Sequence, residues 1–197
     1  AFEASAKAGG GWDIWVVEAG GGSPREMTHG AGDNILPSWA SDGNAIYFAS
    51  KRSGRFEIWR LPTHGGKEEQ ITHNGGYLAF ESTDRKTLYY TLSENGAEGL
   101  YAKPLPDGVE VQAINENVIA RGLAVFYDGA YYLHCGQNGC DIRFYEFADA
   151  HVIKVISKIE APLDGASGLT VSPDRQTFLY SILVRPESDL MLIENFR

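Results

Sequence analysis

Positive charge, cysteine and long apolar stretches are all scarce in this sequence. Its 197 residues include 17 Lys and Arg against 26 Asp and Glu, which gives a formal net charge of −9. Proteins bind nucleic acids and anionic membrane surfaces mainly through Lys and Arg, so direct contact with either is not expected. No apolar run approaches the roughly 20 residues of a membrane-spanning helix, and no helical period of apolar residues persists. The sequence therefore predicts neither a membrane span nor a helical domain.

Glycine and aromatic residues are plentiful instead, at 23 glycines and 12% aromatics. The stretch Pro37–His73 contains four short segments rich in Ile, Tyr, Phe and Trp, separated by turns rich in Gly, Asp and Ser. This pattern predicts four antiparallel strands. A single sheet of this size cannot bury two apolar faces, so we expect it to stack on copies of itself.

Two markers identify these copies, and both recur every 42 to 48 residues. A period of about 40–45 residues with four strands per unit is typical of a β-propeller blade. The sequence therefore predicts an all-β fold, a β-propeller of four-stranded antiparallel blades. The turn marker occurs at Asp42-Gly43, Asp84-Arg85, Asp128-Gly129 and Asp174-Arg175, and the third-strand marker at Asp13–Trp15, Glu57–Trp59, Gly99–Tyr101, Asp141–Arg143 and Asp189–Met191.

The repeated side chains are interpreted as structural. An Asp in a tight turn accepts a hydrogen bond from its own backbone, which explains Asp42 and its equivalents better than a metal or acid–base role. Trp15, Trp39 and Trp59 are interpreted as anchors of blade packing rather than as a platform for a sugar.

A single propeller domain is predicted over residues 1–197. Its first blade lacks an innermost strand and its last blade lacks an outermost one, which would expose unpaired backbone groups. We therefore expect further blades before Ala1, in a ring of about six to eight, and self-association through open blade edges in isolation. A closed five-bladed monomer is the competing outcome. The five blades cover roughly residues 2–30, 36–73, 77–114, 119–158 and 167–197.

Three segments resemble the TolB-type propeller repeat, whose consensus reads roughly D-I-[YW]-V, G-G, P-R-x-L-T and P-x-W-S-P-D-G. They are Asp13–Val17, Pro24–Thr28 and Pro37–Gly43, and Ser172–Asp174 repeats the last piece. The resemblance covers essentially the whole chain. It implies a module of a larger bacterial protein. Some such proteins have a winged-helix DNA-binding region before the propeller, which would make this chain the C-terminal part of a transcriptional regulator.

Propellers host many functions, and two classes are kept open. The first is a non-catalytic protein-interaction or ligand-sensing module, favoured because no G-x-S-x-G elbow occurs and the predicted innermost strands carry a single acid, Glu81, where glycoside hydrolysis needs a pair. The alternative, implied by the resemblance, is a metal-dependent polysaccharide lyase or a hydrolase-associated propeller. Three or more His, Gln or carboxylate ligands at one channel mouth would favour the alternative.

Candidate ligand-binding residues lie where each fourth strand leads to the next innermost strand. His29 and His73 occupy this position one repeat apart, and Asp33 and Asn34 precede an innermost strand. Imidazoles at a channel mouth bind metals or anions, although His is also tolerated in exposed loops. We expect a protein or small-molecule ligand there, and no cofactor other than a channel-bound metal ion.

Cys135 and Cys140 flank the turn at residues 136–139. If they face each other across a hairpin, their Cα atoms come within disulfide range. Such a bond suits an oxidising compartment, and two free thiols are the alternative. The compartment stays open, with the periplasm favoured over the cytoplasm. Two cysteines alone are too few ligands for a zinc site.

Overall fold

The protein is described from a computed structural model, which describes residues 1–5, 10–30, 32–148, 153–163, 167–184 and 187–193. For residues 183–193 only the backbone is described. This part of the chain holds eighteen strands and no helix, and it therefore contains no helix that could cross a membrane. The all-β prediction is confirmed. Residues 194–197, the end of the predicted last blade, lie outside the described part.

The strands form five antiparallel sheets in chain order. The first contains β1 (Phe2–Ala4), β2 (Asp13–Val16) and β3 (Arg25–Glu26). The second contains β4 (Asn34–Trp39), β5 (Ala45–Ser50), β6 (Glu57–Pro62) and β7 (Glu69–Gln70). The third contains β8 (Ala79–Glu81), β9 (Thr87–Tyr90), β10 (Leu100–Pro104) and β11 (Val111–Ile114). The fourth contains β12 (Leu123–Val125), β13 (Gly129–Gly136), β14 (Gly139–Glu146) and β15 (Ile153–Ile159), and the last contains β16 (Leu169–Val171), β17 (Phe178–Val184) and β18 (Glu187–Ile193).

The first of two compact units comprises residues 1–92 and 103–109. Every residue of its central strand β5 is buried, because the sheet is covered on both faces and the strand is apolar throughout. Ile14, Ile46, Phe48 and Leu61 form one core cluster that joins the first two sheets. Burying each such side chain contributes about 1.5–3 kcal/mol to folding.

A β-bulge interrupts β4 and determines which of its side chains point inward. The pairing with β5 shifts between Ile35 and Ser38, where Leu36 has a φ of 55° and precedes a proline. Ser38 is buried and donates to the carbonyl of Ala79 at 2.6 Å. Since side chains alternate along a strand, Trp39 then points outward and is 44% exposed. The expectation that Trp39 anchors blade packing is therefore wrong.

The second unit comprises residues 93–102 and 110–197. Its core cluster includes Tyr131, Phe144 and Phe178, and the rings of Tyr131 and Phe178 meet edge to face with centroids 5.2 Å apart. Such pairs add about 0.5–1.5 kcal/mol beyond the area they bury. The long hairpin of β13 and β14 supplies two of these rings.

The repeated aspartates fix their turns as the sequence predicts. Asp42 Oδ1 accepts the N–H of Asn44 at 2.9 Å, and Asp84 Oδ1 accepts the N–H of Lys86 at 3.1 Å. Asp174 makes the same contact two residues ahead. These bonds are the local reason for the hairpin turns at Asp42, Asp84 and Asp174. The carboxylate of Asp128, the fourth predicted turn aspartate, instead accepts hydrogen bonds from Arg175.

Candidate functional site

A threonine that follows the outermost strand of a blade binds the carboxylate at the beginning of the neighbouring strand. In the first blade, Thr28 Oγ1 donates to Asp13 Oδ1 at 2.8 Å and accepts the N–H of the residue after Asp13 at 2.9 Å. In the second blade, Thr72 Oγ1 donates to Glu57 Oε2 at 2.7 Å and accepts the equivalent N–H at 2.8 Å. All four side chains are buried. The threonine therefore closes the blade, and this clasp was not foreseen from the sequence, although the repeated Thr-His pair marks it.

The histidines that follow these threonines lie outside the clasp. The side chain of His29 is 77% exposed, with Nδ1 3.4 Å from Glu26 Oε1. His73 is also exposed, and its carbonyl accepts a hydrogen bond from Arg55. His73 lines the groove described below, whereas His29 does not. The two imidazoles therefore do not share that groove, and their ligand-binding role stays a prediction.

Asn34 is fully buried and bonded within the first unit. Its Nδ2 donates to Asp13 Oδ1 at 2.9 Å, and its Oδ1 accepts from Arg52 Nη2 at 2.8 Å. Asp33 is half-buried, and its Oδ1 accepts the N–H of Trp12 at 3.4 Å. Asn34 therefore has a structural role, and ligand binding by Asn34 or Asp33 stays a prediction.

Arg52 connects this polar network to the outer strand of the second blade. Besides Asn34, its guanidinium contacts Ser50 Oγ at 2.9 Å and the carboxylate of Glu68. It also lies over the ring of Trp59, 4.7 Å from the centroid. Burial lowers the pKa of the Arg52 guanidinium. Sequence reasoning missed Arg52 because it lies in a turn and has no equivalent in the other repeats.

An open groove of about 1060 Å³ lies within the first unit. Its lining includes the segment 67–71, which contains β7, and the turns at residues 84–85 and 105–107. Successive residues of a strand point to opposite faces. Tyr47, Arg60 and Glu69 are successive cross-strand partners on β5, β6 and β7, and all three line the groove. Cross-strand partners point to the same face of a sheet, so the groove lies over one face of the second sheet.

Tyr47 and Glu81 form the floor of the groove. Tyr47 is 2% exposed, and its hydroxyl donates to Glu81 Oε1 at 2.8 Å. The other oxygen of Glu81 accepts the N–H of Ser41 at 2.8 Å. Burial, and then the bond to Glu81, raises the pKa of Tyr47. The phenol is therefore neutral at physiological pH and cannot act as a base there.

Charged side chains of both signs surround this floor. Arg85 Nη1 lies 2.5 Å from Asp42 Oδ2, and Arg60 Nη1 lies 3.8 Å from Glu69 Oε2. The N–H of Asn44, followed by Arg85, holds the pKa of Asp42 below its usual range. The lining holds six carboxylates (Asp42, Glu68, Glu69, Glu81, Asp84 and Asp107) and four cationic side chains (Arg60, Lys67, Arg85 and Lys103).

Comparison with known proteins identifies the repeat. A family model described as the TolB beta propeller domain matches residues 2–122. This chain belongs to the TolB β-propeller family. A comparison with curated protein sequences returns no match.

Solved structures share the fold of this TolB-type propeller at low sequence identity. TolB from Acinetobacter baumannii has a TM-score of 0.74 at 17% identity, with 93% of this chain and 46% of that chain covered. A putative TolB from Agrobacterium tumefaciens has a TM-score of 0.68 at 18% identity, with 91% and 69% covered. An oligogalacturonate lyase from Vibrio parahaemolyticus has a TM-score of 0.54 at 12% identity, with 91% and 68% covered. The chain thus spans less than half the length of the Acinetobacter TolB.

The second unit of the TolB-type chain repeats the Tyr–Glu contact of the groove floor. Tyr132 donates to Glu116, and Arg143 Nη1 lies 2.6 Å from the other oxygen of Glu116. Tyr132 and Arg143 are cross-strand partners, as Tyr47 and Arg60 are in the first unit. Burial, and then the bond to Glu116, raises the pKa of Tyr132. Glu81 follows Tyr47 by 34 residues, whereas Glu116 precedes Tyr132 by 16, so the two carboxylates come from different places in the repeat.

The structure joins Cys135 and Cys140 by a disulfide across the β13–β14 hairpin. The two are directly paired in register, and their Cα atoms are 4.1 Å apart, a distance typical of a pair without mutual backbone hydrogen bonds. Both pack against the core of the second unit. Over the described residues, no group of three or more His, Cys, Asp or Glu side chains could hold a metal ion.

Proposed function

We propose that this chain is a non-catalytic, protein-binding propeller module that holds an extended segment of another protein in the groove of the first unit. The observation that carries this proposal is an open groove whose lining combines charged side chains of both signs with Leu105 and Pro106. Proteins that recognise peptides commonly hold them in a groove, where contacts with side chains give specificity. The volume of the groove, about 1060 Å³, suits a short extended peptide.

The chemistry of the groove floor supports binding rather than catalysis. General acid–base catalysis needs a group whose pKa lies near the operating pH. The pKa of Tyr47 is instead raised by burial, and both oxygens of Glu81 already accept hydrogen bonds from the protein. Both groups are therefore engaged in holding the blades together.

We further propose that the module belongs to a larger bacterial protein, with the C-terminal part of a transcriptional regulator as the arrangement that the repeat resemblance suggests. The coverage of only 46% of the Acinetobacter TolB is consistent with a longer parent protein. Reading the complete gene tests this arrangement, and a gene that encodes no DNA-binding region would reject it.

Panning a random peptide library on the purified chain tests the binding proposal. The groove variant is Asp107→Arg, and Glu160→Arg makes the same charge change at an exposed position that is not part of the groove lining. We expect a family of peptides that binds the wild type and Glu160→Arg but not Asp107→Arg. Failure to enrich any peptide, or binding that Asp107→Arg leaves unchanged, would reject the groove as the binding site.

A turnover screen tests the non-catalytic half of the proposal. Polysaccharides, esters and the enriched peptides are incubated with the chain in the presence of Mn²⁺ or Ca²⁺. We expect no product by mass spectrometry or reducing-sugar assay. Turnover that disappears in His29→Ala or His73→Ala would instead assign catalysis to these residues.

A further inference from the structure

We infer that Arg60 selects the partner of the groove by binding the carboxylate of an Asp or Glu side chain in the extended segment. The inference rests on the proposed function and specifies both the chemistry of the partner and the residue that recognises it.

The strand registers show which residue of the second unit is equivalent to Tyr47 on the groove floor. β4 ends at Trp39 and β12 ends at Val125, each shortly before its turn aspartate. Tyr47 directly follows the cross-strand partner of Trp39, and Tyr131 directly follows the partner of Val125. Tyr47 and Tyr131 therefore occupy the same position in their blades.

Arg60 occupies a position that an aromatic core residue holds in the fourth sheet. Arg60 is the cross-strand partner of Tyr47, whereas the partner of Tyr131 is Phe144. Tyr131 and Phe144 are buried in the core of the second unit, where their ring centroids lie 4.6 Å apart. The first unit has a charged side chain and an open groove at the place where the second unit has packed rings.

Glu81 likewise replaces an apolar residue. It ends β8, and its equivalent at the end of β16 is Val171, which packs against the core of the second unit. Two apolar positions of the repeat are therefore charged in the groove. Departures of this kind from a well-packed core are expected at functional sites, where they reduce stability in favour of binding.

Arg60, unlike Glu81, has hydrogen-bond donors left for a ligand. Both oxygens of Glu81 accept hydrogen bonds from the protein. Among the described residues, the carboxylate nearest to the Arg60 guanidinium is that of Glu69, at 3.8 Å, and the Arg60 side chain is 34% exposed. This ion pair is longer than a hydrogen bond, and a guanidinium carries five N–H donors in a fork that matches a carboxylate. A carboxylate of the partner can therefore bind Arg60 at closer range than Glu69 does.

The other carboxylates of the lining present little obstacle to such a ligand, because most of them have cationic partners within the protein. Asp107 makes no such contact among the described residues, and its carboxylate is available to accept an N–H group of the segment. A Lys or Arg side chain of the segment at the floor would instead face the like charge of Arg60. The ion pairs of the lining carboxylates are Asp42 with Arg85, Glu68 with Arg52, and Asp84 with Lys86.

Parallel panning of the peptide library on the wild type and on Arg60→Glu tests the inference. We expect the peptides that bind the wild type to share an Asp or Glu at one position. Those that bind Arg60→Glu should have Lys or Arg at that position, because the substitution reverses the charge that the segment meets. Wild-type peptides without a shared acidic position, or the same peptides from both proteins, would overturn the inference.

Fluorescence anisotropy measures the contribution of the ion pair. The probe is the peptide most enriched on the wild type, labelled and with both ends blocked so that only a side chain can supply the carboxylate. We expect Arg60→Gln in the protein, or the amide in place of the shared acid in the probe, to lower the affinity at least tenfold. The two changes together should cost little more than either alone, and fully additive losses would overturn the inference. Arg25→Gln is the matched control, at an exposed position outside the groove lining, and should change the affinity less than twofold.

Arg60→Phe distinguishes recognition from a structural role. It introduces the residue that the fourth sheet has at the equivalent position, so we expect a melting temperature at or above that of the wild type and no binding of the probe. Arg60→Lys keeps the charge without the fork and should bind with intermediate affinity. A folded Arg60→Phe that binds as the wild type does would overturn the inference. Melting temperatures well below that of the wild type in both Arg60→Phe and Arg60→Gln would assign Arg60 a structural role instead.

The two proposals fail separately. Library peptides that lose binding in Asp107→Arg but not in Arg60→Gln would overturn this inference and leave the protein-binding function intact. Peptides that bind only with a free C-terminus would assign Arg60 to a terminal carboxylate and also overturn it. Failure to enrich any peptide, or binding that ignores Asp107→Arg, would reject the groove and this inference with it.

Discussion

Arg175 forms a bidentate ion pair with Asp128, the aspartate of the equivalent turn one repeat earlier. Nη1 lies 2.8 Å from Oδ2 and Nη2 lies 2.6 Å from Oδ1. In the first unit, Arg85 pairs with Asp42 through a single contact between Nη1 and Oδ2. Both arginines have a positive φ, 59° for Arg175 and 60° for Arg85. The left-handed turn that favours glycine is thus occupied by an arginine that connects one blade turn to the preceding one.

Two substitutions of Arg175 separate the free-energy cost of its positive φ from the stabilisation that its side-chain contacts provide. The guanidinium also lies over the rings of Phe126 and Tyr127, at 4.6 and 5.0 Å. We expect Arg175→Ala to lower the free energy of unfolding by about 2 kcal/mol. Arg175→Gly loses the same contacts but adopts the positive φ freely, so we expect a loss of about 1 kcal/mol. Urea denaturation measures both, and equal losses would contradict a strained turn.

The ion pair also predicts a pH dependence of stability. The hydrogen bond from Arg175 is the main cause that holds the pKa of Asp128 below its usual range. Because the pKa is lower in the folded than in the unfolded state, where it is about 3.9, the stabilisation is complete above that value. It is lost as the pH falls through the folded pKa. Urea denaturation between pH 7 and pH 2.5 should show a smaller acid-induced loss of stability for Arg175→Ala than for wild type, and parallel curves would contradict this.

The blades could be predicted from the sequence because their signals are local. A turn aspartate bonds to the backbone two residues ahead, as Asp42 does with Asn44, and this chemistry is visible in a few letters. The groove could not be predicted, since residues 67–71 and 105–107 meet only through tertiary folding. Trp39 was misjudged because the bulge beside Leu36 changes the alternation of the strand, and a bulge leaves no clear mark in a single sequence.

The disulfide predicts a stability that depends on redox conditions. Cys135 and Cys140 close a loop with a sequence separation of 5, for which chain entropy gives about 2 kcal/mol. Mass spectrometry after alkylation should show no labelled thiol in protein that was purified without reductant. Dithiothreitol should lower the melting temperature of wild type and leave that of a Cys135→Ser, Cys140→Ser double variant unchanged. Full labelling of both thiols without reductant would reject the bond.

The buried clasp between Thr72 and Glu57 should contribute more to stability than surface ion pairs do. Thr72→Val keeps the shape of the side chain but removes the hydroxyl that donates to Glu57 Oε2 and accepts the N–H of Ile58. A buried donor or acceptor that is left without its partner costs about 1–3 kcal/mol. We therefore expect Thr72→Val to lower the free energy of unfolding by about 3 kcal/mol, and Thr72→Ser, which retains the hydroxyl, by less than half as much. Thr63→Val is the matched control because its hydroxyl makes an exposed bond to the carbonyl of Gly43. Equal losses in Thr72→Val and Thr63→Val, measured by urea denaturation, would show that the clasp does not hold the blade closed.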